Sequence, residues 1–264
     1  MKTHALAVIG GGNMGIALVG GLLSSNWIKP DELAIVELIA SQREELARRF
    51  PEATIVESVP SCSAAIIAVK PADAAAAAAA AVAAGARRIL SIAAGVSIAA
   101  LEASAGNAVA IIRSMPNTPA LVGLGAAGVA AGRTATDADL QWATGILGAV
   151  GMVEVVAEHQ LDAITGLTGS GPAYLFLVAE ALIDAGVLAG LSRPASEALV
   201  TQLFLGSAAM LNQRGDPAAL RAMVTSPGGT TAAGLKVLED RAVRSAFQSA
   251  VLAATERSRE LGAH

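Results

Sequence analysis

The sequence has little cysteine, little histidine and no concentration of positive charge. Cys62 is the single cysteine of 264 residues, so no intrachain disulfide can form and no cysteine cluster can hold a metal; a reducing cytoplasm fits this usage. The formal net charge is −4 with the arginines scattered, which leaves no basic stripe for nucleic acid or an anionic lipid surface. Only His4, His159 and His264 carry imidazoles. His4 opens an apolar strand-like run, His264 is the terminus, and a structural role suits His159 better than proton transfer. No lysine occurs from Gly171 to Leu235, which removes the catalytic lysine that hydroxyacid dehydrogenases place just after a glycine-rich helix start. A small-molecule enzyme without metal is the expectation.

Mean hydropathy is +0.58, and Ala5 to Ile28 carries no charge. A membrane span or signal core is not expected there, because Gly10, Gly11, Gly12, Gly15, Gly20 and Gly21 interrupt the run. The nearly pure alanine tract Ala74 to Ala84 predicts a helix. At this length the chain holds one large or two modest domains, each with a core of its own.

The apolar run Ala5 to Ile9 is followed by Gly10-Gly11-Gly12-Asn13-Met14-Gly15 and then by Ile16, Leu18, Val19, Leu22 and Leu23 at helical spacing. Strand, glycine turn and helix in that order form the dinucleotide fingerprint: the glycines allow a tight turn, close approach of a pyrophosphate and close helix packing. Further strand-like runs at Leu33 to Leu38, Ala65 to Val69, Arg88 to Ile92 and Val109 to Ile112 alternate with helical stretches, which predicts a parallel sheet. Ligands of such sheets bind beyond the carboxyl ends of the strands. There lie Ala68-Val69-Lys70-Pro71, where the lysine can meet phosphate or ribose, Ala93-Ala94-Gly95, small enough for a flat ring, and Met115-Pro116-Asn117-Thr118-Pro119, a turn stiffened by two prolines. Glu37 closes the second strand, where an acidic side chain accepts from a ribose 2′-OH and repels a 2′-phosphate, favouring NADH. Arg43 stands nearby as a possible phosphate partner, so NADH and NADPH both remain open.

From about Leu161 strand signals stop, and the domains are set at 1–157 and 158–264. Ser170-Gly171-Pro172 reads as a capped helix start, with the serine as cap. The helix from Ala173 to Leu188 is apolar around nearly its whole circumference and calls for cover by a second subunit. Gly215-Asp216-Pro217 ends one helix and starts another. In Ser226-Pro227-Gly228-Gly229-Thr230-Thr231 a rigid turn and two glycines precede a helix start, an arrangement suited to a small carboxylate; an ordinary capped helix is the alternative.

These motifs, in this order and with Gly169-Ser170-Gly171-Pro172-Ala173-Tyr174 between them, closely resemble pyrroline-5-carboxylate reductase along nearly the whole chain. The resemblance implies reduction of 1-pyrroline-5-carboxylate to proline with NADP or NAD in reduced form. It also implies a Rossmann-type α/β domain followed by an all-α dimerisation domain, in a homodimer or a larger ring of dimers. Cofactor contacts are implied at Gly10, Gly11, Gly12, Asn13, Met14, Gly15, Ala68, Val69, Lys70, Pro71, Ala93, Ala94 and Gly95; Glu37 and Asn117 join them from the strand-end reading. Substrate contacts are implied at Thr230 and Thr231, with Ser226, Gly228 and Gly229 of the same turn, and at Glu158. Thr231 is the candidate partner of the ring nitrogen. Glu158 either favours an iminium electrostatically or is an ordinary solvated carboxylate. Glu37 departs from NADPH-preferring relatives, which carry a small polar residue there. Neither nucleic acid nor membrane is an expected partner. A non-catalytic nicotinamide-binding protein is a rival that would not need the Ser226–Thr231 turn, and reduction of a six-membered imine acid is an enzymatic one.

Overall fold

A computed structural model describes residues 2–262. The first half alternates β1 (Leu6–Ile9), α1 (Asn13–Ser24), β2 (Leu33–Val36), α2 (Ala40–Arg49), β3 (Thr54–Val56), β4 (Ala64–Ile67), α3 (Ala74–Ala83), β5 (Arg88–Ser91), α4 (Ile98–Ala105), β6 (Ala110–Met115), β7 (Gly125–Ala131), α5 (Asp137–Gly148) and β8 (Gly151–Val155). The eight strands form one sheet in the order β3-β2-β1-β4-β5-β6-β7-β8. The first six are parallel; β7 runs antiparallel to β6 and parallel to β8.

Alternation along the strands divides the core into two layers. Leu6 and Val8 of β1 pack with Leu18 and Leu22 of α1 and with Ile146 of α5. Ala7 and Ile9 face the opposite layer, with Ala74, Ala78 and Ala81 of α3 and Leu101 of α4. Because both faces are covered, β1, β2 and β4 read as continuous apolar runs. β3, β7 and β8 are additions to what the apolar runs foretold.

The remaining helices are α6 (Leu161–Ile164), α7 (Gly171–Leu188), α8 (Arg193–Arg214), α9 (Pro217–Met223), α10 (Thr230–Asp240) and α11 (Val243–Gly262). A compact unit comprises the chain through Ser170 together with the segment from Leu252 onward, and Gly171–Val251 form a second. Relative to a line drawn at 157/158, residues 158–170 and the end of α11 are grouped with the sheet. The physical reason is burial: Leu161 is 0% exposed within one layer of the sheet's core, and Ser258 Oγ donates to Asp162 Oδ1 at 2.7 Å. Ser170 is not the extended cap expected of it. It has helical dihedrals (φ −86°, ψ −22°) at the end of a π-helical turn, Thr165–Gly169. His4 is buried, with Nε2 3.1 Å from Thr54 Oγ1; His264 lies outside the described residues. Burial pushes the Cys62 thiol above its ordinary pKa, so it is a packed group and not a nucleophile.

In the second unit α7 and α8 approach closely where Gly186 meets Ser196: a methyl on Gly186 would stand 2.6 Å from Ser196 Oγ. Gly215 (φ +72°) ends α8, and Asp216 caps α9 by accepting from the N–H groups of Ala218 and Ala219. No residue of α7 is buried, although Leu175, Phe176, Leu177 and Leu188 lie along it. Among the described residues, Glu158–Leu188 is the helical run long and apolar enough, by length and composition, to cross a bilayer. Two acids, Glu180 and Asp184, interrupt it within α7.

In the turn after β1, Gly10 and Gly15 are held by backbone contacts, Gly11 faces only side chains, those of Leu46 and Glu37, and Gly12 is unconstrained. Gly10 has φ +111° and a methyl there would lie 2.4 Å from the Ala68 carbonyl oxygen, while one on Gly15 would lie 2.2 Å from the Gly10 oxygen; one on Gly12 meets nothing within 4 Å. Gly10→Ala and Gly15→Ala are each expected to destabilise the fold by at least about 2 kcal/mol. Gly12→Ala should cost no more than about 1 kcal/mol. Urea unfolding of the three variants checks this ordering, and equal losses at all three positions would contradict it.

Candidate functional site

The sheet order brings the separate motifs of the first half onto one edge. Strand order reverses about β1: β2 lies on one side of it and β4 on the other. The crevice at such a switch point, past the carboxyl ends of the strands, is where α/β sheets bind ligands. The backbone continues the sheet beyond the named strands there, with the N–H of Ala68 bonded to the Ile9 carbonyl at 2.8 Å, that of Gly10 to Val36 at 2.9 Å and that of Ile92 to Ile67 at 3.0 Å. Glu37, Gly10–Gly12, Ala68–Pro71 and Ala93–Gly95 therefore follow one another along that edge. Lys70 is exposed and precedes a 3₁₀ turn, Pro71–Asp73, that leads into α3.

At the start of α1 the cap residue is Gly12, extended at φ −74° and ψ 179°, with no side-chain cap. The first helical backbone bond is Ile16 N–H to Gly12 O. The N–H groups of Asn13, Met14 and Gly15 consequently face outward at the positive end of a twelve-residue helix. Above Gly12 there is open space. This cradle fits the pyrophosphate of a dinucleotide, since it offers donors, a favourable dipole and room for the backbone to approach.

The Glu37 carboxylate is fixed on both oxygens: Oε2 accepts from the Gly11 N–H at 3.0 Å and Oε1 from the Ile39 N–H at 2.9 Å. Arg43 turns inward, its Nη1 donating to the carbonyls of Glu37 (2.9 Å) and Leu38 (2.7 Å), with Nη2 at 3.4 Å from Glu57.

Beyond β5, Ala93 is buried, Ala94 is exposed and Gly95 takes φ +74°. A methyl on Gly95 would come within 3.6 Å of Leu261, so the last turn of α11 lies against this loop. Glu158 is neither free nor simply solvated. Its Oε1 accepts from the Ile98 N–H at 2.7 Å and from Arg113 Nη1 at 3.0 Å, and Arg113 is only 8% exposed. Arg113 lies just past the Val109 to Ile112 run, and no local pattern in the sequence marks it. These groups line a cavity of about 360 Å³ with Ser97, exposed His159 and Arg259.

Asn117, expected among the cofactor contacts, has its amide engaged within the chain. It is 8% exposed, its Oδ1 accepts from the Ala126 N–H at 2.8 Å, and its Nδ2 donates to the Thr168 carbonyl at 3.0 Å. Both ends of the amide thus tie the start of β7 to the π-helical turn, and little of the side chain remains for a ligand.

In the second unit, Ser226–Gly229 closes a turn through the Gly229 N–H to Ser226 O bond at 3.0 Å, with Pro227 next and Gly228 at φ +71°. That pattern matches a type II turn, in which the third residue must take positive φ. Gly229 then caps α10 in extended geometry, again without a side-chain cap. Ala233 makes the first helical bond, to Gly229 O, so the N–H groups of Thr230, Thr231 and Ala232 have no partner within the helix. Thr231 is the second helical residue and not the cap, which removes the purely capping role. Ser226, Gly228 and Gly229 thus shape the turn, and Thr230 and Thr231 present backbone donors and hydroxyls at its end.

Known proteins match this arrangement at both ends. Residues 5–95 match the family described as NADP oxidoreductase, coenzyme F420-dependent, and residues 158–261 match pyrroline-5-carboxylate reductase dimerisation. A pyrroline-5-carboxylate reductase of Synechocystis is 40% identical over 97% of this chain and 98% of its own length. That of Corynebacterium melassecola is 39% identical over 98% of this chain and 99% of its own. Among solved structures, a pyrroline-5-carboxylate reductase from Coxiella burnetii superposes with a TM-score of 0.90 at 33% identity, covering 98% of this chain and 99% of that one. A Plasmodium falciparum pyrroline carboxylate reductase with NADP bound gives 0.85 at 32% identity, covering 98% of each. With relatives this similar over nearly their whole length and ours, the chain belongs to the pyrroline-5-carboxylate reductase family.

Proposed function

We propose that this protein reduces 1-pyrroline-5-carboxylate to L-proline with NADH or NADPH, the last step of proline biosynthesis. The observation that carries the reading is the pair of glycine-capped helix starts, one at α1 on a dinucleotide-type sheet edge and one at α10 behind the Ser226–Gly229 turn. The membership of the family and the NADP-bound relative support it.

Reducing a cyclic imine requires a hydride at carbon and a proton at nitrogen, and binding and orientation supply most of the rate. A bound reduced nicotinamide supplies the hydride. In this reading the outward N–H groups of Asn13, Met14 and Gly15 hold the pyrophosphate, with Gly10, Gly11 and Gly12 giving the backbone room. Ala68, Val69, Lys70 and Pro71 border the adjoining strand end, and Ala93, Ala94 and Gly95 leave space for a flat ring. The N–H groups of Thr230 and Thr231 take the substrate carboxylate, and the Thr231 hydroxyl bonds the ring nitrogen. We assign Glu158 an indirect part. Paired with Arg113 and bonded to the first N–H of α4, it fixes the entry of α4 and with it the loop that ends β5.

We read 158–264 as the substrate and dimerisation module, on the strength of the family matched there. The exposed apolar face of α7, with Leu199, Leu203 and Leu205 exposed on α8, supports a homodimer in which a second copy covers it. The acids at Glu180 and Asp184 make a bilayer the poorer cover.

Three outcomes follow. The purified protein should oxidise NADH or NADPH on addition of 1-pyrroline-5-carboxylate and form proline; no oxidation of either cofactor would end this reading. Thr231→Ala should lower turnover about ten- to a hundredfold, as expected for loss of one hydrogen bond to a charged or partly charged group, with cofactor affinity and melting temperature nearly unchanged. Unchanged turnover with a lowered melting temperature would make Thr231 structural. Light scattering at micromolar concentration should give at least twice the mass of the chain, and a monomeric mass would refute the dimer.

A further inference from the structure

We infer that this enzyme selects NADH over NADPH, and that Glu37 is the residue that determines the choice; the inference rests on the reductase reading above. Sequence leaves the preference open because Glu37 and Arg43 argue in opposite directions. The geometry separates them. Arg43 has only 23% of its side chain exposed, its Nη1 is engaged by the Glu37 and Leu38 carbonyls, and Glu57 balances its charge. It serves as a brace behind the loop that follows β2, and its charge is not directed into the crevice.

Glu37 is placed to meet a ribose. Its Oε2 is bound to the N–H of Gly11, one residue before the cap of α1, so the carboxylate lies against the same turn that offers its N–H groups to a pyrophosphate. Each carboxylate oxygen has two acceptor positions, and each uses one on a backbone N–H. One acceptor per oxygen is left, which suits a diol that donates two hydrogen bonds. A 2′-phosphate donates none and carries up to two negative charges. A few ångströms from a carboxylate it is disfavoured on the order of tenfold or more, even at the dielectric constant of bulk water. The two residues that follow Glu37 offer no side-chain donor to a phosphate: Leu38 and Ile39 are exposed and apolar, 76% and 53% respectively, and present a surface suited to a base.

The test compares two fragments that carry no nicotinamide, 5′-ADP and 2′,5′-ADP, by calorimetry on the whole protein. It sets them beside kcat/KM for NADH and NADPH with 1-pyrroline-5-carboxylate. We expect 5′-ADP to bind on the order of tenfold more tightly, and NADH to be favoured by a similar factor in kcat/KM. Glu37→Gln, which removes the charge while keeping an oxygen for the Gly11 N–H, should narrow both ratios. Arg43→Gln should not weaken NADPH selectively. Tighter binding of 2′,5′-ADP, kcat/KM for NADPH at or above that for NADH, or a selective loss of NADPH affinity in Arg43→Gln would overturn the inference. If neither cofactor is oxidised while the fragment preference holds, the reductase reading fails and the role of Glu37 stands. If neither fragment nor dinucleotide binds, both fail.

Discussion

Everything at the cofactor edge depends on how closely β1 and β4 meet beyond their last paired residues. The Gly10 backbone passes so near the Ala68 carbonyl that no side chain fits between them, and its φ of +111° turns the chain sharply out of the strand. That turn puts Gly12 at the cap of α1, and Gly15 then packs against the Gly10 carbonyl, holding the helix start over the end of the sheet. A wider spacing at this point would displace the three outward N–H groups, and the pyrophosphate cradle would go with them. The four glycines within six residues thus do different work: Gly10, Gly11 and Gly15 satisfy steric demands of the fold, and Gly12 leaves open space.

The same solution recurs at α10. Elsewhere the chain closes its helix starts with side chains: Ser97, Thr136, Ser192 and Asp216 cap α4, α5, α8 and α9. Three more helices, α2, α3 and α6, lack a side-chain cap, but α2 is entered through the Ile39 N–H held by Glu37, and α3 and α6 each through a 3₁₀ turn. At α1 and α10 a glycine is the cap and the first N–H groups are left to something outside the chain. Donors left open in this way bond to water, or to an anion where one binds. A dinucleotide and a small carboxylate are both anions, so the ligands proposed for the two helix starts make the same demand on them.

Most of the first half was legible because both faces of the sheet are covered. β1, β2 and β4 are uninterrupted apolar runs and β5 and β6 each hold an apolar stretch next to polar residues, and their identity survives without knowledge of partners. β7 is Gly-Ala-Ala-Gly-Val-Ala-Ala, a composition with weak strand preference, and it becomes a strand because β6 and β8 pair with it. β3 is only three residues long. Ser170 misled because Ser-Gly-Pro reads locally as a cap, whereas the π-helical turn before it already places Ser170 in helical geometry. Asn117 was found by its stiff turn, yet what that turn presents is an inward-facing amide. Arg113 and its link to Glu158 were invisible, since the two are 45 residues apart and meet only when the sheet forms.

That link also reshapes the charge argument for the chemistry. A free carboxylate near the substrate would stabilise an iminium, and a sequence reading naturally offers Glu158 for the task. Here the carboxylate lies 3.0 Å from a buried guanidinium, so the pair has little net charge to exert at a distance, and its effect is mechanical. Removing one partner would leave the other charge partly buried without compensation and would release the N–H that begins α4. With Glu158 balanced in this way, the proposed assignment gives recognition of the ring nitrogen to a neutral group. A hydroxyl suits that place because it can accept from a protonated nitrogen or donate to an unprotonated one. Thr231 is such a group, two positions past a cap that needs no side chain.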